Sequence, residues 1–322
     1  MIRAAIVGLG RWGRNLVEAS AGHARLGIVY AVEPDTARAG DFCTTHDLGL
    51  TGSLDAVLAD PGIDAVLLAT PHSLHPAQVL AAAAARKQVF CEKPLALNRA
   101  DAARMFDACR EAGIVLAVGH NRRFWPSMAA LRDIVAGGEL GAILHIEGHN
   151  SNENSQSITA GWRLSPQESP GGGLTGAGLH VLDAFVSLLG PVREVYARLY
   201  SHEAGPPPLD SAMLALDFEN GATGTLATVR ATPLYWRVHV FGTQGSAEVL
   251  DDVTLILRKS GVKRRQMTYP GVDALRAELD AFVDAIEHRI PFPVPEADVL
   301  ATLAAFEAAL RSMQSGVPDR VR

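Results

Sequence analysis

The chain has 322 residues, which is enough for about two domains with separate cores. Hydrophobic residues make up 48% and charged residues 20%, as is typical of a soluble globular protein. The net charge of −6 supplies no basic field for nucleic acid, and no apolar run approaches the roughly 20 residues of a membrane helix. We therefore expect no nucleic-acid partner and no membrane partner.

The cysteines and the first residues indicate the compartment. Cys43, Cys91 and Cys109 are odd in number and widely spaced, so they suggest neither a disulfide framework nor a zinc site. The segment from Met1 to Gly8 lacks the layout of a signal peptide. Both features favour a cytoplasmic protein.

The first third of the chain alternates between strand and helix patterns. Strands are predicted at Ile2 to Val7, Gly27 to Val32, Ala65 to Ala69, Gln88 to Cys91 and Ile114 to Gly119. Helices are predicted at Pro76 to Arg86 and Arg99 to Ala112, and the segment Gly8-Leu9-Gly10-Arg11-Trp12-Gly13 opens another that runs through about Ser20. This alternation predicts a parallel sheet covered by helices on both faces, and we assign residues 1–120 to a Rossmann dinucleotide-binding domain.

A glycine motif lies where the first strand meets the first helix. Gly8, Gly10 and Gly13 form the Gly-x-Gly-x-x-Gly pattern, and Arg11 and Trp12 stand inside it. The first glycine permits a tight turn, the second lets the backbone approach a pyrophosphate, and the third allows close packing of helix on strand. The amides that open the helix supply donors for the phosphates. The motif therefore predicts a dinucleotide site.

An acidic residue at the end of the second strand indicates which dinucleotide binds. Glu33 follows Gly13 by 20 positions, where a carboxylate accepts hydrogen bonds from the adenosine ribose hydroxyls. The same carboxylate repels a 2′-phosphate. We therefore predict NAD, with NADP less favoured. A glycine-rich turn without a ligand is the alternative reading.

Beyond about residue 121 the pattern changes to closely spaced strands. They are predicted at Leu144 to His149, Val192 to Tyr200, Ala212 to Phe218, Gly224 to Arg230, Arg237 to Phe241, Ala247 to Leu250 and Thr254 to Leu257. Short turns between them indicate an antiparallel meander, with helices at about Leu179 to Leu189, Asp273 to His288 and Ala297 to Met313. We assign residues 121–322 to an α/β substrate-binding domain whose large open sheet invites a partner subunit.

Cys91-Glu92-Lys93-Pro94 places an amine directly after a predicted strand. Pro94 favours an extended Lys93, so the ammonium is expected at a strand end, where α/β proteins bind ligands. A surface lysine in a turn is the plainer interpretation.

Taken together, these motifs resemble the Gfo/Idh/MocA oxidoreductase family over essentially the whole chain. The resemblance is carried by the glycine motif, Ala69-Thr70-Pro71 with His75, the Glu-Lys-Pro motif, Trp162-Arg163, and Gly171-Gly172-Gly173 leading to Gly178-x-His180-x-x-Asp183. It implies an N-terminal Rossmann domain and a C-terminal α/β domain with a large open sheet, often used for oligomerisation. It also implies NAD(P)-dependent chemistry on a hydroxyl or carbonyl of sugars, cyclitols or related polyols.

The resemblance implies roles for particular residues. Lys93 matches the lysine of the family's Glu-Lys-Pro motif, and His180 matches the histidine that faces the nicotinamide. Thr70, Pro71 and His75 lie where the family lines the nicotinamide and pyrophosphate, and we add His72 and Glu92 to this cofactor-binding set. Further candidates for substrate contact are Asp183, Arg122, Trp162, Arg163 and Thr175. Each has a plainer structural alternative: a helix histidine, a buried carboxylate, a packing tryptophan or a solvated or paired arginine.

One position departs from the family pattern. The family usually has an aspartate four residues before the histidine, where this chain has Gly176, and the segment from the triple glycine to His180 is one residue short. We therefore assign His180 as the general acid/base and Lys93 as the orienting or proton-sharing group. Thr175 or Asp183 would have to supply any further polar contact.

The sequence thus predicts an NAD(P)-dependent dehydrogenase or reductase acting on a secondary hydroxyl or ketone of a sugar, cyclitol or similar polyol. His72 and His75 form a His-x-x-His pattern without further ligands, so no metal is expected. A homodimer or homotetramer through the C-terminal sheet is expected. Two alternatives stay open: a lyase or glycosidase that retains its NAD, and a non-catalytic NAD-binding sensor.

Overall fold

The structure, a computed structural model, describes residues 1–159, 161–203, 205–230 and 232–322. The chain forms two compact units. One comprises Met1–Asn121 with Asp273–Glu296, and the other comprises Arg122–Val272 with Ala297–Arg322. The division at 120/121 stays a prediction. The compact units differ from it at Asp273–Glu296, a segment that packs with the first unit.

The helices of the described ranges are α1 (Arg11–Ser20), α2 (Thr36–Thr45), α3 (Leu54–Ala59), α4 (His75–Ala84), α5 (Arg99–Ala112), α6 (Pro126–Ala136), α7 (Leu179–Leu189), α8 (Ala274–His288) and α9 (Glu296–Ser315). None of them combines the length and the apolar character that crossing a bilayer requires. α1 is preceded by Gly10, and α4 carries a proline in its first turn. Residues at or next to the first turn therefore mark where each of these two helices begins.

The first unit is built on a six-stranded parallel sheet. Its strands are β1 (Ile2–Val7), β2 (Leu26–Val32), β3 (Gly49–Thr51), β4 (Ala65–Leu68), β5 (Gln88–Glu92) and β6 (Leu116–Gly119). They lie in the order β3-β2-β1-β4-β5-β6, and β4 and β6 are buried along their whole length. The strand order reverses direction between β1 and β4, which is where doubly wound sheets bind ligands at their carboxyl edge. The predicted fold class is confirmed.

The second unit contains a nine-stranded sheet. Its strands are β7 (Ile143–Asn152), β8 (Val192–Glu203), β9 (Leu209–Phe218), β10 (Thr223–Arg230), β11 (Tyr235–Gly242), β12 (Gly245–Val249), β13 (Thr254–Lys259), β14 (Arg265–Thr268) and β15 (Asp319–Arg320). They follow the order β14-β13-β12-β11-β7-β10-β9-β8-β15. One core joins the inward side chains of this sheet to α6, α7 and α9.

The expectation of a simple antiparallel meander is wrong at one place. β7 lies between β10 and β11, and it runs parallel to β10 and antiparallel to β11. The remaining pairs of the sheet within the described ranges are antiparallel. The hairpin turns specify only pairs of consecutive strands, so they carried no information about the insertion of β7.

The face of this sheet away from the helices exposes large side chains. Register connects Tyr235 to Ser151, Ser151 to Val229, and onward to Ser211 and Tyr200, so these residues form one row across five strands. Tyr200 and Tyr235 are 52% and 48% exposed, and Met213 in the neighbouring row is 48% exposed. The outer face therefore combines aromatic and thioether surface with the polar residues between them.

Candidate active site

The glycine loop follows β1 in the first unit, and two of its glycines are sterically required. Gly8 has φ +91°, and a Cβ there would lie 2.9 Å from the carbonyl oxygen of Ala69. A Cβ on Gly13 would lie 1.9 Å from the carbonyl oxygen of Gly8. A Cβ on Gly10 meets nothing within 4 Å. The middle glycine therefore faces open space beside the first amides of α1, as a loop that admits a pyrophosphate requires.

Glu33 stands beside this loop. Its carboxylate accepts a hydrogen bond from the backbone N–H of Leu9 at 2.9 Å and a longer one from Asp35 N–H at 3.4 Å. Arg11 is exposed and Trp12 is partly buried where α1 begins. The geometry thus holds one carboxylate at the carboxyl end of β2, next to the glycines. These residues fit an NAD molecule whose adenosine ribose lies against Glu33.

The segment after β4 is fastened to the Glu-Lys-Pro segment through His75. The His75 ring is fully buried, with Nδ1 2.9 Å from the carbonyl oxygen of Pro94 and Nε2 3.1 Å from that of Thr70. The Thr70 hydroxyl donates to Oε1 of Gln78 at 2.6 Å. His72 lies edge-on to His75 at 5.9 Å between ring centroids. His75 therefore connects the loop after β4 with the loop after β5 at the carboxyl edge of the sheet. Its role in cofactor binding stays a prediction.

Lys93 directly follows β5, as the sequence predicted. Its backbone N–H lies 3.3 Å from Oε2 of the buried Glu92, whose Oε1 would be 3.0 Å from a Cβ added to Gly119. The Glu92 carboxylate therefore lies close to Gly119 of β6 and accepts a hydrogen bond from the backbone N–H of Lys93. The side chain of Lys93 is partly exposed.

Sequence reasoning missed a second carboxyl group in this region. Glu278 on α8 is fully buried, and neither of its oxygens has a hydrogen-bond partner within the described ranges. Burial, and then the nearby charge of Glu92, raise the pKa of Glu278 well above its usual range. Phe282, one turn further along α8, contacts Phe90 edge-on, two residues before Glu92. No local motif could have indicated this pairing, because the two elements are distant in sequence.

In the second unit, α7 carries His180 and Asp183. His180 is buried, and Asp183 lies one helical turn later, so the two residues share a face. Asp183 accepts two hydrogen bonds from Arg123, at 2.9 Å from Nε and 2.7 Å from the terminal nitrogen. Arg123 also donates to Asp298 at 2.7 Å. Burial opposes the charge of Arg123, but the two carboxylates outweigh it and raise the pKa of the guanidinium.

The residues before α7 form a turn of π-helix at Leu174–Gly178. The Thr175 hydroxyl donates to the carbonyl oxygen of Pro170, and the amide nitrogen of Asn150 donates to the carbonyl oxygen of Ala177 at 2.8 Å. Gly176 is exposed, and a Cβ there would meet nothing within 4 Å. The position where the family usually has an aspartate thus has room for a side chain.

The triple glycine is held by two residues that the sequence did not single out. Asp210 accepts a hydrogen bond from the Gly173 N–H at 3.0 Å and one from Nε of Arg230 at 3.0 Å. A Cβ on Gly172 would lie 2.5 Å from Oδ2 of Asp210. The segment must therefore be glycine where it passes this ion pair. β9 and β10 supply the pair, which is why the motif alone could not reveal it.

The remaining candidates of the second unit occupy two aromatic clusters. The guanidinium carbon of Arg163 lies 4.2 Å from the centre of the Trp162 ring. That of Arg122 lies 4.2 Å from the centre of the Trp125 ring and 4.5 Å from that of Trp236. The structure thus pairs each predicted arginine with tryptophan. Their contact with a substrate stays a prediction.

Known protein families match this chain in both of its units. A family model described as an oxidoreductase family with an NAD-binding Rossmann fold matches residues 2–120, and the GFO/IDH/MocA C-terminal domain matches residues 128–248. The myo-inositol 2-dehydrogenase of Thermotoga maritima is 30% identical over 272 residues, which cover 80% of this chain and 80% of that protein. The 2,7-anhydro-N-acetylneuraminate hydratase of Escherichia coli is 29% identical over 257 residues, covering 77% and 68%.

Among solved structures, a levoglucosan dehydrogenase in complex with NADH and levoglucosan superposes with a TM-score of 0.90. At 23% identity, with 100% of this chain and 99% of that one covered, this likeness shows the fold. The family models confirm the predicted resemblance, the oxidoreductase class and the NAD-binding domain. The chain belongs to the Gfo/Idh/MocA family of oxidoreductases.

Proposed function

We propose that this oxidoreductase transfers a hydride between NAD and a secondary hydroxyl or ketone of a sugar, cyclitol or similar polyol. The observation that carries the proposal is Lys93, which directly follows β5 at the carboxyl edge of an NAD-binding sheet, with its backbone held by Glu92. The myo-inositol 2-dehydrogenase relative supports a polyol as the substrate. Bound NAD supplies the hydride acceptor at its nicotinamide ring.

The protein's own groups handle the nucleotide and the proton. The amides at the start of α1 bind phosphate oxygens, and Glu33 accepts hydrogen bonds from ribose hydroxyls and repels a 2′-phosphate. The Lys93 ammonium donates a hydrogen bond to a substrate oxygen, and the His180 imidazole takes up or returns a proton. These roles follow from the family resemblance and the chemistry of each group.

A screen of sugars, polyols and inositols, followed by NADH absorbance, tests the proposal. We expect at least one compound to reduce NAD, and we expect Lys93→Ala and His180→Ala each to lower kcat/KM by about a hundredfold or more. Full activity in both variants would overturn the assignment of these residues. Absence of NADH with every compound would count against net oxidation.

A second candidate is a hydratase or lyase that oxidises its substrate transiently and recovers the hydride. The Escherichia coli hydratase among the relatives favours it. Such an enzyme would purify with nearly stoichiometric NAD and consume its substrate without accumulating NADH. Mass spectrometry of the released nucleotide and NMR of the product distinguish it from a dehydrogenase.

We propose that the outer face of the nine-stranded sheet joins subunits into a dimer or tetramer. The exposed Tyr200, Met213 and Tyr235 support this. Met213→Glu is expected to lower the mass measured by light scattering after gel filtration. Leu144→Glu is the matched control, because Leu144 is 55% exposed but alternates with the outward residues of β7. Equal masses for the wild type and Met213→Glu would contradict the placement of the subunit interface on this face.

We also propose a cytoplasmic location. Cys43, Cys91 and Cys109 are all free and buried. Burial raises the pKa of the Cys109 thiol to about 11 and that of Cys91 well above its usual range. Unreactive, unpaired thiols suit a reducing compartment.

A further inference from the structure

Two neighbouring arginines of the second unit have opposite electrostatic surroundings. Arg123 is neutralised by Asp183 and Asp298, both at 2.7 Å. Arg122, within the described ranges, has no carboxylate at ion-pair distance, and Asp252 acts on its charge only from further away. Burial lowers the pKa of Arg122 to about 10, so the guanidinium is still charged at neutral pH.

Two tryptophan rings cover this guanidinium. The backbone N–H of Trp125 donates to the carbonyl oxygen of Arg122 at 3.3 Å. This bond closes a turn that brings the two side chains together. Trp125 meets Trp236 of β11 edge-on, with 5.3 Å between the ring centroids. The rings attract the cation, but they accept no hydrogen bond in the plane of its N–H groups. The charge is therefore stacked without being neutralised.

Unpartnered polar atoms surround the stack. Within the described part of the chain, Nε of Arg122 and Nε1 of Trp236 are closed to solvent and donate to no acceptor. Asn150 lies opposite Trp236 in the β11–β7 register, and its Oδ1 accepts no hydrogen bond from a described residue. Because these three atoms are closed to solvent, a ligand would reach the stack through the terminal nitrogens of Arg122, a residue that as a whole is only partly buried.

A stacked cation without a counter-ion suits the carboxylate of a sugar acid. A guanidinium fork binds a carboxylate through two parallel N–H donors. The partly exposed Trp125 ring beside it can pack on the C–H surface of a sugar. A neutral polyol would leave the stacked charge without a counter-ion, which is unfavourable for a guanidinium held away from water.

We propose that Arg122, stacked on Trp125 and Trp236, is a carboxylate-recognition site that makes a sugar acid the preferred substrate. This inference rests on the proposed function and specifies its substrate class. The site discriminates by charge: Arg122 gives up part of its hydration on folding, and the substrate carboxylate replaces it. Arg122→Met keeps the bulk over the indoles and removes the charge. Arg122→Lys keeps the charge and removes the planar fork.

The test uses matched series that differ only at carbon 6: glucose, glucuronate and glucose 6-phosphate, and the corresponding galactose compounds. Binding to the NAD-loaded protein is followed by tryptophan fluorescence, and turnover is followed by NADH absorbance. We expect the acid of at least one series to bind about tenfold or more tighter than its neutral member. Arg122→Met should bring that preference to within about twofold, and Arg122→Lys should leave an intermediate value.

Arg193→Met is the control, because Arg193 is an exposed cation of the same unit, 3.5 Å from Asp217. It should retain the full preference, and thermal melting confirms that each variant is folded. Preference for the neutral sugar or the phosphate, binding of neither, or survival of the preference in Arg122→Met would overturn the inference. Tight binding of the acid without NADH would count against the proposed function alone.

Discussion

Asp183 has two interpretations: it contacts the substrate, or it is a structural carboxylate paired with Arg123. Both side chains are buried, at 5% and 4% exposure, and they share two charge-assisted hydrogen bonds. Asp183→Asn removes the negative charge and leaves the guanidinium with Asp298, which is 27% exposed. Removing one partner of a buried pair costs about 3–5 kcal/mol. Since Asp298 stays in place, we expect the lower end, about 3 kcal/mol.

Urea unfolding measures this loss. With a slope of about 3 kcal/mol per molar urea, the midpoint should fall by about 1 M. Asp298→Asn is the matched control, because it breaks a single hydrogen bond to a more exposed carboxylate, and we expect it to cost about 1 kcal/mol. A loss below about 1 kcal/mol in Asp183→Asn, with an unchanged slope, would refute a structural role. A large fall in kcat/KM with little loss of stability would instead indicate contact with the substrate.

Three further outcomes can be measured. Glu33→Gln should raise the ratio of kcat/KM with NADP to that with NAD by about tenfold, because it removes the charge that repels a 2′-phosphate, and an unchanged ratio would contradict this role. Gly176→Asp should not destabilise, and should gain about 0.5 kcal/mol in thermal melts, because its Cβ enters open space; a loss above about 1 kcal/mol would contradict the geometry. Burial and the nearby charge of Glu92 raise the pKa of Glu278 in the folded state, so its contribution to stability is full below the unfolded pKa of about 4.3 and is lost as pH rises through the folded pKa. In urea titrations Glu278→Gln should therefore stabilise the protein increasingly as pH rises above about 4.3, because only the wild type has to ionise a buried carboxyl group; a pH-independent difference would contradict the raised pKa.

The sequence predicted the parts of the fold that local patterns encode. The run of strand, Gly8-x-Gly10-x-x-Gly13 and helix needs only neighbouring residues, and the structure bears it out, with a required glycine at Gly8 and Gly13. Three helices escaped prediction, α2, α3 and α6, although the caps of the first two are visible in the chain. Asp35 accepts from the Arg38 N–H to start α2, and Ser53 accepts from the Ala56 N–H to start α3.

What the sequence could not supply is pairing between distant segments. The insertion of β7 beside β10 depends on which strands share a buried face, and turn chemistry does not specify that. Glu278 reaches the neighbourhood of Glu92 because α8 packs with the first unit. The clustering of Arg122 with Trp236 depends on the register of β11. In each case the arrangement depends on residues that are far apart in the sequence. A local motif contains only one of the two partners.

The absent aspartate at Gly176 does not remove the contacts that position the start of α7. The approach to α7 is fixed from the sheet: Asp210 holds the Gly173 N–H, and Asn150 holds the carbonyl oxygen of Ala177. Because both anchors come from strands, the helix start keeps its place without a side chain at residue 176. The missing aspartate therefore removes a charge from this turn and leaves both anchors of the start of α7 in place.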